Sequence, residues 1–282
     1  MVRMNRDPLR EAAELHDFAR ASRRLLVLTG AGCSTESGIP DYRDAAGSWK
    51  RSPPIQLREF LGDGLARRRY WARSLAGWPV VAAAHPNAAH RALARLETHG
   101  RVSQVITQNV DGLHQRAGSE AVIDLHGRLD EVLCLDCGAL VARSELQDEL
   151  QSLNPHLTAR PATLAPDGDA DLGDVDYAGV RVPDCRRCGG MLKPAVVFFG
   201  ESVPRPRVER ALERLEEADA LLVAGSSLMV WSGYRFVRHA HERGVPVAIV
   251  NLGRTRADEL ASVRVHAPCG ETIARLADDL LN

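Results

Sequence analysis

The stretch from Gly30 to Arg43 reads GAGCSTESGIPDYR and constrains the fold more than any other part of the chain. It follows four apolar residues, 25–28, which are too few for a helix and are typical of a buried parallel strand. A strand, a glycine turn and the start of a helix place unpaired N–H groups at the end of a sheet, where a pyrophosphate can bind. A GxG turn alone is equally consistent with an ordinary tight turn between a strand and a helix.

The second half of this stretch narrows the choice. Residues 37–43 break the helix with glycine and proline, and then present an acid, an aromatic ring and a base. This is not the dinucleotide fingerprint of a dehydrogenase. The pattern GAGxSxxSGIPDYR resembles the NAD-binding signature of the sirtuins, the NAD-dependent protein deacylases. The resemblance implies NAD contacts from Gly30, Ala31, Gly32, Ser34, Thr35, Pro40, Asp41, Tyr42 and Arg43.

Length and composition bound the class of protein. The chain has 282 residues, enough for one large domain or for a large domain with a small one. Its hydrophobic content of 45% and charged content of 26% are ordinary for a soluble globular protein. The formal net charge of −1 gives no basic field for nucleic acid, and no apolar run approaches the roughly 20 residues that span a bilayer. We therefore expect neither nucleic acid nor a membrane as partner.

The N-terminus, residues 1–24, lacks the apolar core of a signal peptide, and its acidic residues argue against a transit peptide. We therefore expect a cytoplasmic protein. In that reducing compartment, six cysteines indicate metal binding or chemistry rather than disulfides. The N-terminal residues 1–24 instead fit an amphipathic helix. Its apolar face would comprise Leu9, Ala12, Ala13, Leu15, His16 and Ala19.

A second strand-like run, 102–109, ends in polar residues. In open α/β sheets, ligands bind beyond the carboxyl ends of parallel strands, which is where Gln108, Asn109 and Asp111 would lie. The string TQNVDGLH matches a second sirtuin motif, which implies that these side chains bind the nicotinamide ribose and the reacting centre. Without that resemblance, an NxD at the end of a strand is also typical of a helix cap.

His126 follows a third apolar run, 122–125, in the string LHG. The sirtuin pattern uses a histidine at this place as general base. Histidine titrates near neutral pH, which suits removal of a proton from a ribose hydroxyl. Taken alone, the residue is equally consistent with a structural or surface histidine.

Two CxxC pairs, Cys134 with Cys137 and Cys185 with Cys188, are each followed by glycine. This spacing suits turns that aim two thiolates at one ion, and four thiolates complete a tetrahedral zinc shell with no open position. The 47 residues between the pairs exceed a compact zinc ribbon, so the module carries an insertion. The pattern predicts one structural Zn²⁺; two redox CxxC motifs are the alternative.

Residues 193–201 read KPAVVFFGE, which predicts an extended apolar segment that ends in a turn at Gly200. An extended edge that offers N–H and C=O groups can bind a peptide independently of its side chains. In sirtuins the corresponding segment lines the acyl-lysine tunnel; otherwise it is a core strand followed by a turn. The resemblance implies substrate contacts from Val196, Val197, Phe198, Phe199, Gly200 and Glu201.

Two later stretches, 220–227 and 245–253, repeat the strand followed by a glycine turn, and 263–268 add a short edge strand. Both longer stretches match sirtuin positions that hold the adenine and its ribose. The family also places a residue near adenine just after the edge strand. The resemblance implies NAD contacts from Gly225, Ser226, Ser227, Asn251, Leu252, Gly253 and Cys269.

Alternating strand and helix patterns predict an α/β fold, a Rossmann-like parallel sheet with a smaller zinc-binding domain inserted. We expect the discontinuous NAD-binding domain to comprise residues 1–52, 87–127 and 195–282. The small domain would combine a helical insertion, 53–86, with the zinc-binding module, 128–194, and the cleft between the domains would be the active site.

Within the small domain, residues 55–76 read as helical, with Leu61 and Leu65 among the apolar contacts and Pro79 just beyond. Residues 154–182 are rich in proline, aspartate and glycine and have few apolar anchors. They are predicted to form a surface loop.

The motif matches run from about Leu25 to Cys269, and GSSLMVWSGYRF in particular resembles class II sirtuins. The resemblance implies an NAD-dependent protein lysine deacylase that acts as a monomer on acylated-lysine proteins or peptides. In the family reaction the acyl oxygen attacks C1′ of the nicotinamide ribose and nicotinamide leaves. Asn109 and Asp111 would hold the ribose and a water, and His126 would draw a proton through the ribose diol.

Two other functions remain open. An NAD-dependent mono-ADP-ribosyltransferase shares the expulsion of nicotinamide but transfers ADP-ribose to protein, and a non-catalytic NAD-sensing zinc module would only bind NAD. The acyl preference is also open. Tyr70 and Arg73 form a YxxR pair that resembles one recognising acidic acyl groups in desuccinylating sirtuins. Alternatively, Tyr70 packs in a helix and Arg73 faces solvent.

Overall fold

The structure is a computed structural model that describes residues 7–50, 54–157 and 163–282. Its helices and strands alternate as an α/β fold requires. The helices are α1 (Pro8–Ala21), α2 (Leu57–Gly62), α3 (Gly64–Ala83), α4 (Ala88–Thr98), α5 (Leu113–Arg116), α6 (Arg143–Leu153), α7 (Arg205–Glu216), α8 (Trp231–Glu242) and α9 (Cys269–Leu281). The strands are β1 (Leu25–Thr29), β2 (Val102–Thr107), β3 (Val122–Asp124), β4 (Gly127–Cys134), β5 (Leu140–Ala142), β6 (Thr163–Leu164), β7 (Ala170–Asp171), β8 (Leu192–Val196), β9 (Ala220–Ala224), β10 (Val247–Val250) and β11 (Val263–Val265).

The large sheet has six strands in the order β11-β10-β9-β1-β2-β3, and every pairing is parallel. β1 is central, and its last residue, Thr29, lies opposite Thr107 of β2 and Ala224 of β9. The carboxyl ends of these three strands therefore meet at one edge of the sheet. The predicted Rossmann-like parallel sheet is confirmed.

The central strands are apolar throughout because both faces of the sheet are covered by helices. Along β1, alternate residues face opposite sides. Leu25 and Val27 pack in a core that contains α1, α4 and α9, whereas Leu26 and Leu28 pack in a second core that contains α7 and α8. This double burial explains why these strands read as continuous apolar runs.

The inserted module has its own antiparallel sheet in the order β5-β4-β8. Its core joins residues of α3 and α6 to this sheet, including Trp71, Leu146, Val132 and Phe198. β4 begins at Gly127, directly after His126, so the candidate base lies where the chain passes from the large sheet to the small one. The division of the chain into domains at the expected boundaries stays a prediction.

The helical insertion differs in detail from the sequence expectation. Two helices replace one, because Asp63 ends α2 and caps α3 by accepting a hydrogen bond from the Leu65 N–H at 2.8 Å. α3 continues through Pro79 to Ala83, although proline removes one intrahelical hydrogen bond. The side chains of Leu61 and Leu65 are 42% and 50% exposed, so they contribute less to apolar contacts than the sequence predicted.

The opening helix α1 is confirmed, but its buried face is narrower than predicted. Leu15 and Ala19 are buried in the core, whereas Leu9 is 76% exposed and Ala13 is exposed. The buried residues of α1 therefore lie in the second half of the helix.

The expectation of a loop with few apolar anchors at 154–182 is wrong for the part that the structure describes. β6 and β7 pair as a short antiparallel hairpin. Leu157, Leu172 and Val180 are buried in the small-domain core with Trp71. The spaced apolar residues of this segment are its anchors, and residues 158–162 lie outside the described part.

None of the helices in the described ranges combines the length and the apolar character that crossing a membrane requires.

Candidate active site

Side chains from three separate loops meet at the carboxyl edge of the large sheet. Gln108 donates to the Ser226 hydroxyl at 2.7 Å, which joins the loops after β2 and β9. Asn109 donates to the Gly30 carbonyl at 3.0 Å and to the Ser34 hydroxyl at 2.9 Å. The three predicted NAD motifs are therefore physically connected through their polar side chains.

Gly32 and Gly225 bring two of these loops into backbone contact. The Gly32 N–H donates to the Gly225 carbonyl at 2.8 Å. Gly225 has φ +66°, and a Cβ at this position would lie 2.3 Å from the Cys33 backbone nitrogen. Glycine is required at this position because the backbone of another loop approaches it closely.

The first motif does not begin a regular α-helix, which corrects the sequence expectation. It forms two short 3₁₀ turns, at Ala31–Cys33 and Thr35–Ser37. Gly38 then adopts the left-handed conformation with φ +84°, and Pro40 follows two residues later. The chain leaves the sheet edge after these turns because a left-handed glycine ends a helical run.

Asp111 lies beside this junction and is held on two sides. Its carboxylate accepts from the Ser34 hydroxyl at 2.7 Å and from the Leu113 N–H at 2.9 Å. Burial raises the pKa of Asp111, and these two hydrogen bonds oppose that shift. These two hydrogen bonds fix the orientation of the Asp111 carboxyl group. Through Ser34, which also binds Asn109, they connect it to the first NAD motif.

His126 is neutral at pH 7, with one defined ring nitrogen available for chemistry. Burial lowers its pKa to about 4, and the Arg207 and Arg235 guanidiniums act in the same direction. Its Nδ1 lies 2.9 Å from the Gln108 carbonyl oxygen, which can only accept, so Nδ1 carries the proton. Nε2 then carries the lone pair of the ring, which accepts from the Ser232 hydroxyl at 2.8 Å. Nε2 is therefore the atom that can act as a base.

Gly127 sets the position of His126 against the apolar segment expected to bind substrate. It has φ +84°, and a Cβ there would lie 2.0 Å from the Ala195 carbonyl oxygen. The His126 carbonyl accepts from the Val197 N–H at 2.7 Å. Only glycine permits this approach, which places His126 next to the segment 195–201.

The segment 196–201 divides into buried and accessible side chains. Val196 and Phe198 are buried in the small-domain core, whereas Val197 and Phe199 are partly exposed. Glu201 fixes the far end, because it pairs with the buried Lys193 ammonium at 3.0 Å. Val197 and Phe199 are thus better placed than their neighbours for the predicted substrate contacts.

An aromatic group joins the end of the first NAD motif to this segment. Tyr42, Trp49 and Phe199 pack edge to face, with ring centroids 5.5 to 6.1 Å apart. The Arg43 guanidinium lies 4.0 Å from the centroid of the Trp49 ring and donates to the Gly47 carbonyl. These aromatic contacts attach the loop 41–50 to the segment 196–201. An ion pair between Asp41 and Lys50 joins the two ends of that loop.

The loops expected to hold adenine also meet at this edge. Asn251 donates to the Gly253 carbonyl at 2.9 Å, and Leu252 is 54% exposed. The Cys269 thiol points inward, toward the Val250 carbonyl at 3.6 Å, and burial raises its pKa to about 12. A ligand would therefore meet the backbone of Cys269 rather than its sulfur.

The four paired cysteines form one cluster in the small domain. The sulfur of Cys134 lies 3.6 Å from that of Cys188, and Cys137 lies 3.8 Å from Cys185. All four sulfurs lie within 4.8 Å of one another, and none is in a disulfide. Four thiols converging on one point fit a closed tetrathiolate Zn²⁺ shell, whereas a redox role would pair each CxxC with itself. The cysteines are positioned to bind one structural zinc ion.

The arginine of the YxxR pair is already engaged. Arg73 makes a bidentate ion pair with Asp169 of the β6–β7 segment, with N–O distances of 2.7 and 2.8 Å. Tyr70 packs edge to face on Phe60 and lies 5.3 Å from Phe198, centroid to centroid. The face of Arg73 that would bind an acyl carboxylate is therefore occupied by a carboxylate of this chain.

Sequence reasoning missed several polar residues behind the site. His90 and His114 stack with ring centroids 4.7 Å apart, and both are buried. His114 contacts the Thr29 hydroxyl at 2.9 Å, and Asn87 donates to the Cys33 carbonyl at 2.7 Å. The strings PNAAH and DGLHQ hold these residues at helix starts, where a polar side chain is usually read as a cap.

The stacked histidines predict that the protein is less stable in mild acid. Burial lowers the pKa of His90 to about 4 and that of His114 to about 3. Since unfolded histidines titrate near 6.5, the unfolded state binds more protons below that pH, and this stability is lost as pH falls from about 6.5 toward 4. Urea unfolding at pH 7 and pH 5 should show a loss of a few kcal/mol. His114→Gln should reduce this pH dependence, whereas His99→Gln, which changes an exposed histidine, should not. An equal change in the free energy of unfolding between pH 7 and pH 5 for the wild type and both variants would contradict the prediction.

The fold and the site together define a class: an α/β protein with polar loops at the ends of parallel strands, the place where dinucleotides bind in such folds, and with an inserted four-cysteine module. The Sir2 family model matches residues 30–232. A NAD-dependent protein deacetylase of Xanthomonas axonopodis pv. citri is 56% identical, over 95% of this chain and 92% of its own. One from Bordetella bronchiseptica is 57% identical, over 93% of this chain and 96% of its own.

Solved structures agree with these relatives. A Sir2 complex described as Sir2-p53 peptide-NAD+ has a TM-score of 0.76 and 32% identity, covering 94% of this chain and 97% of that one. A structure from work on the mechanism and regulation of Sir2 enzymes has a TM-score of 0.76 and 32% identity, covering 96% of this chain and 98% of that one. The chain belongs to the Sir2 family of sirtuins.

Proposed function

We propose that the junction of the two sheets, around His126, is the catalytic centre of an NAD-dependent protein lysine deacylase. The chain is an enzyme of this type, with relatives named NAD-dependent protein deacetylase at 56–57% identity. The observation that carries the assignment of the site is the tautomer of His126: Nδ1 is bound to a backbone carbonyl, and Nε2 keeps its lone pair beside the NAD motifs. A neutral imidazole in that state is a competent general base.

Each remaining group has a role that its contacts support. Ser34, Asn109 and Asp111 form one hydrogen-bonded set, which suits binding of ribose hydroxyls and of a water. The loops that meet at Gly32 and Gly225 lie at the carboxyl ends of β1 and β9, the edge of a parallel sheet at which a dinucleotide pyrophosphate binds favourably. NAD supplies the activated glycosidic bond and is consumed, and the acyl group leaves lysine for ADP-ribose.

The substrate side of the cleft is proposed to be the segment from Val197 to Gly200. Phe199 forms an isolated parallel bridge with Gln56 before the chain turns at Gly200, and a protein or peptide that carries an acylated lysine can bind by main-chain pairing of the same kind. One solved Sir2 relative is described with a p53 peptide and NAD+, which supports a peptide ligand for this side. Zn²⁺ is proposed to hold the small domain, and the cytoplasmic location and monomeric state stay predictions.

The products of the reaction test this proposal against ADP-ribosyl transfer. Incubation with NAD and an acetyl-lysine peptide should release nicotinamide, deacetylated peptide and O-acetyl-ADP-ribose in equal amounts, as measured by mass spectrometry. A protein or peptide adduct heavier by one ADP-ribose, without deacetylated peptide, would instead establish a transferase. Bound NAD without release of nicotinamide would leave only an NAD-sensing module.

A short acyl group is the proposed substrate, because the Arg73 guanidinium is paired with Asp169. We expect wild-type kcat/KM to be higher for acetyl-lysine than for succinyl-lysine peptides. Arg73→Ala should then lower both values by similar factors, since it removes only an anchor of the β6–β7 segment. If Arg73→Ala lowered kcat/KM only for succinyl-lysine peptides, Tyr70 and Arg73 would instead recognise acidic acyl groups. Asp169→Asn, which frees the guanidinium, should raise activity on succinyl-lysine.

A further inference from the structure

Ser232 lies at the second position of α8 and contacts the general base rather than its own helix. We propose that the Ser232 hydroxyl is a positioning residue for His126, a hydrogen-bond partner that serves Nε2 in both of its protonation states. The proposal deepens the function proposed above and rests on it. The hydrogen bond between Ser232 and His126 can be observed in the resting enzyme, without turnover.

The geometry brings α8 unusually close to the base. The Ser232 hydroxyl is 2.8 Å from His126 Nε2, although 106 residues separate the two in sequence. The next residue, Gly233, has no side chain, and a Cβ there would lie 2.4 Å from the Gln108 side-chain oxygen. Gln108 is the residue whose carbonyl binds His126 Nδ1. Both ring nitrogens are thus held by one packed contact between α8 and the end of β2.

A serine at the start of a helix usually caps it by accepting from a backbone N–H. Here the N-cap is Val230, and no side-chain cap was found for α8 within the described residues. Ser232 is half-buried and directs its hydroxyl at the imidazole. Ser232 is two residues past the N-cap, and the hydrogen bond that the structure gives its hydroxyl is the one with His126.

The surroundings of His126 make such a partner necessary. Burial lowers its pKa, and the positive charges of Arg207 on α7 and Arg235 on α8 act in the same direction. The positive end of the α8 dipole acts in the same direction. An imidazolium formed during turnover would therefore meet no acid among the groups that shift its pKa, and it needs a neutral acceptor. A hydroxyl donates to neutral Nε2 and, after rotation, accepts from protonated Nε2.

The two hydrogen bonds differ in strength. A bond to a charged group is roughly twice as strong as one between neutral groups, so Ser232 stabilises the protonated ring more than the neutral ring. In the free enzyme the hydroxyl also occupies the lone pair that a ribose hydroxyl must reach. Removing Ser232 is therefore expected to weaken the base while leaving its lone pair easier for NAD to reach.

Ser232→Ala tests this directly. We expect kcat for deacetylation to fall about tenfold and KM for NAD to stay equal or decrease. The acidic limb of the kcat/KM profile should move to lower pH, because the protonated ring loses more than the neutral ring. Ser232→Thr, which keeps the hydroxyl, should restore most of kcat. Ser262→Ala removes a serine hydrogen bond to the Val247 carbonyl at 2.9 Å and serves as the matched control without effect.

A measurement on the resting enzyme separates this proposal from the proposed function. With ¹⁵N-labelled histidine, the Nε2 resonance of His126 should shift in Ser232→Ala, and its apparent pKa should decrease, whether or not the protein deacetylates peptides. An unchanged resonance and titration would overturn the positioning role. So would a variant in which KM for NAD rises as kcat falls while the pH profile stays fixed, because that pattern indicates damage to the NAD site alone.

Discussion

Replacing His126 by alanine is expected to lower the rate of acyl transfer to ADP-ribose by about 100-fold or more, the usual contribution of a general base. The physical reason is that Nε2 is the one lone pair that the ring offers, since Nδ1 is bound to the Gln108 carbonyl. Expulsion of nicotinamide precedes the step that needs the base, so exchange of labelled nicotinamide into NAD should persist in the variant. Mass spectrometry of O-acetyl-ADP-ribose and a radiolabel exchange assay measure the two steps separately.

The matched control is His99→Ala, because His99 is an exposed histidine at the end of α4, and it precedes the amino-terminal end of β2 whereas the motif residues follow its carboxyl end. It should keep wild-type rates in both assays. If His126→Ala retained acyl transfer within a few-fold of wild type, another group would be the base. If it lost nicotinamide exchange equally, the imidazole would be needed for NAD binding rather than for proton transfer.

Removing one cysteine of the cluster should have the largest effect on stability. Binding of a structural zinc ion contributes on the order of 10–16 kcal/mol to the folding of small zinc modules at pH 7. Cys137→Ser leaves three thiolates in a site built for four, so zinc should be lost from the purified protein. Because β4 and β8 both lead into the cluster, the small sheet should then unfold and deacetylation should cease.

Zinc content by inductively coupled plasma mass spectrometry and thermal unfolding test this expectation. Arg187→Ser is the control, because this exposed residue lies between Cys185 and Cys188 without being a ligand. It should keep one zinc per chain and the wild-type melting temperature. A full equivalent of zinc in Cys137→Ser, with unchanged stability, would contradict the closed four-cysteine shell.

The sequence predicted the large sheet well because its strands are buried on both faces. Runs such as 25–28 and 220–224 are apolar at every position, and each is followed by glycine within a few residues. Apolar runs of this short length are typical of parallel strands that are buried on both faces. The convergence of Asn109, Asp111 and Ser34 followed from the rule that ligands bind at strand ends, combined with the sirtuin resemblance.

The features that the sequence did not predict depend on contacts between distant segments. Asp169 is one acid among many in a polar stretch, and only the packing of the β6–β7 segment on α3 pairs it with Arg73. Similarly, Ser232 looks like an ordinary serine near a helix start until α8 is placed against Gln108. Local patterns report periodicity and turns, whereas these pairings arise from tertiary approach.

The central claim is that His126 Nε2 faces the nicotinamide ribose at the junction of the two sheets. A crystal structure with NAD and an acetyl-lysine peptide measures it directly. We predict that Nε2 lies about 2.6–3.2 Å from a hydroxyl of that ribose, with Nδ1 still bound to the Gln108 carbonyl. A nicotinamide ribose bound out of reach of this nitrogen, or an imidazole turned away from the cleft, would contradict the account.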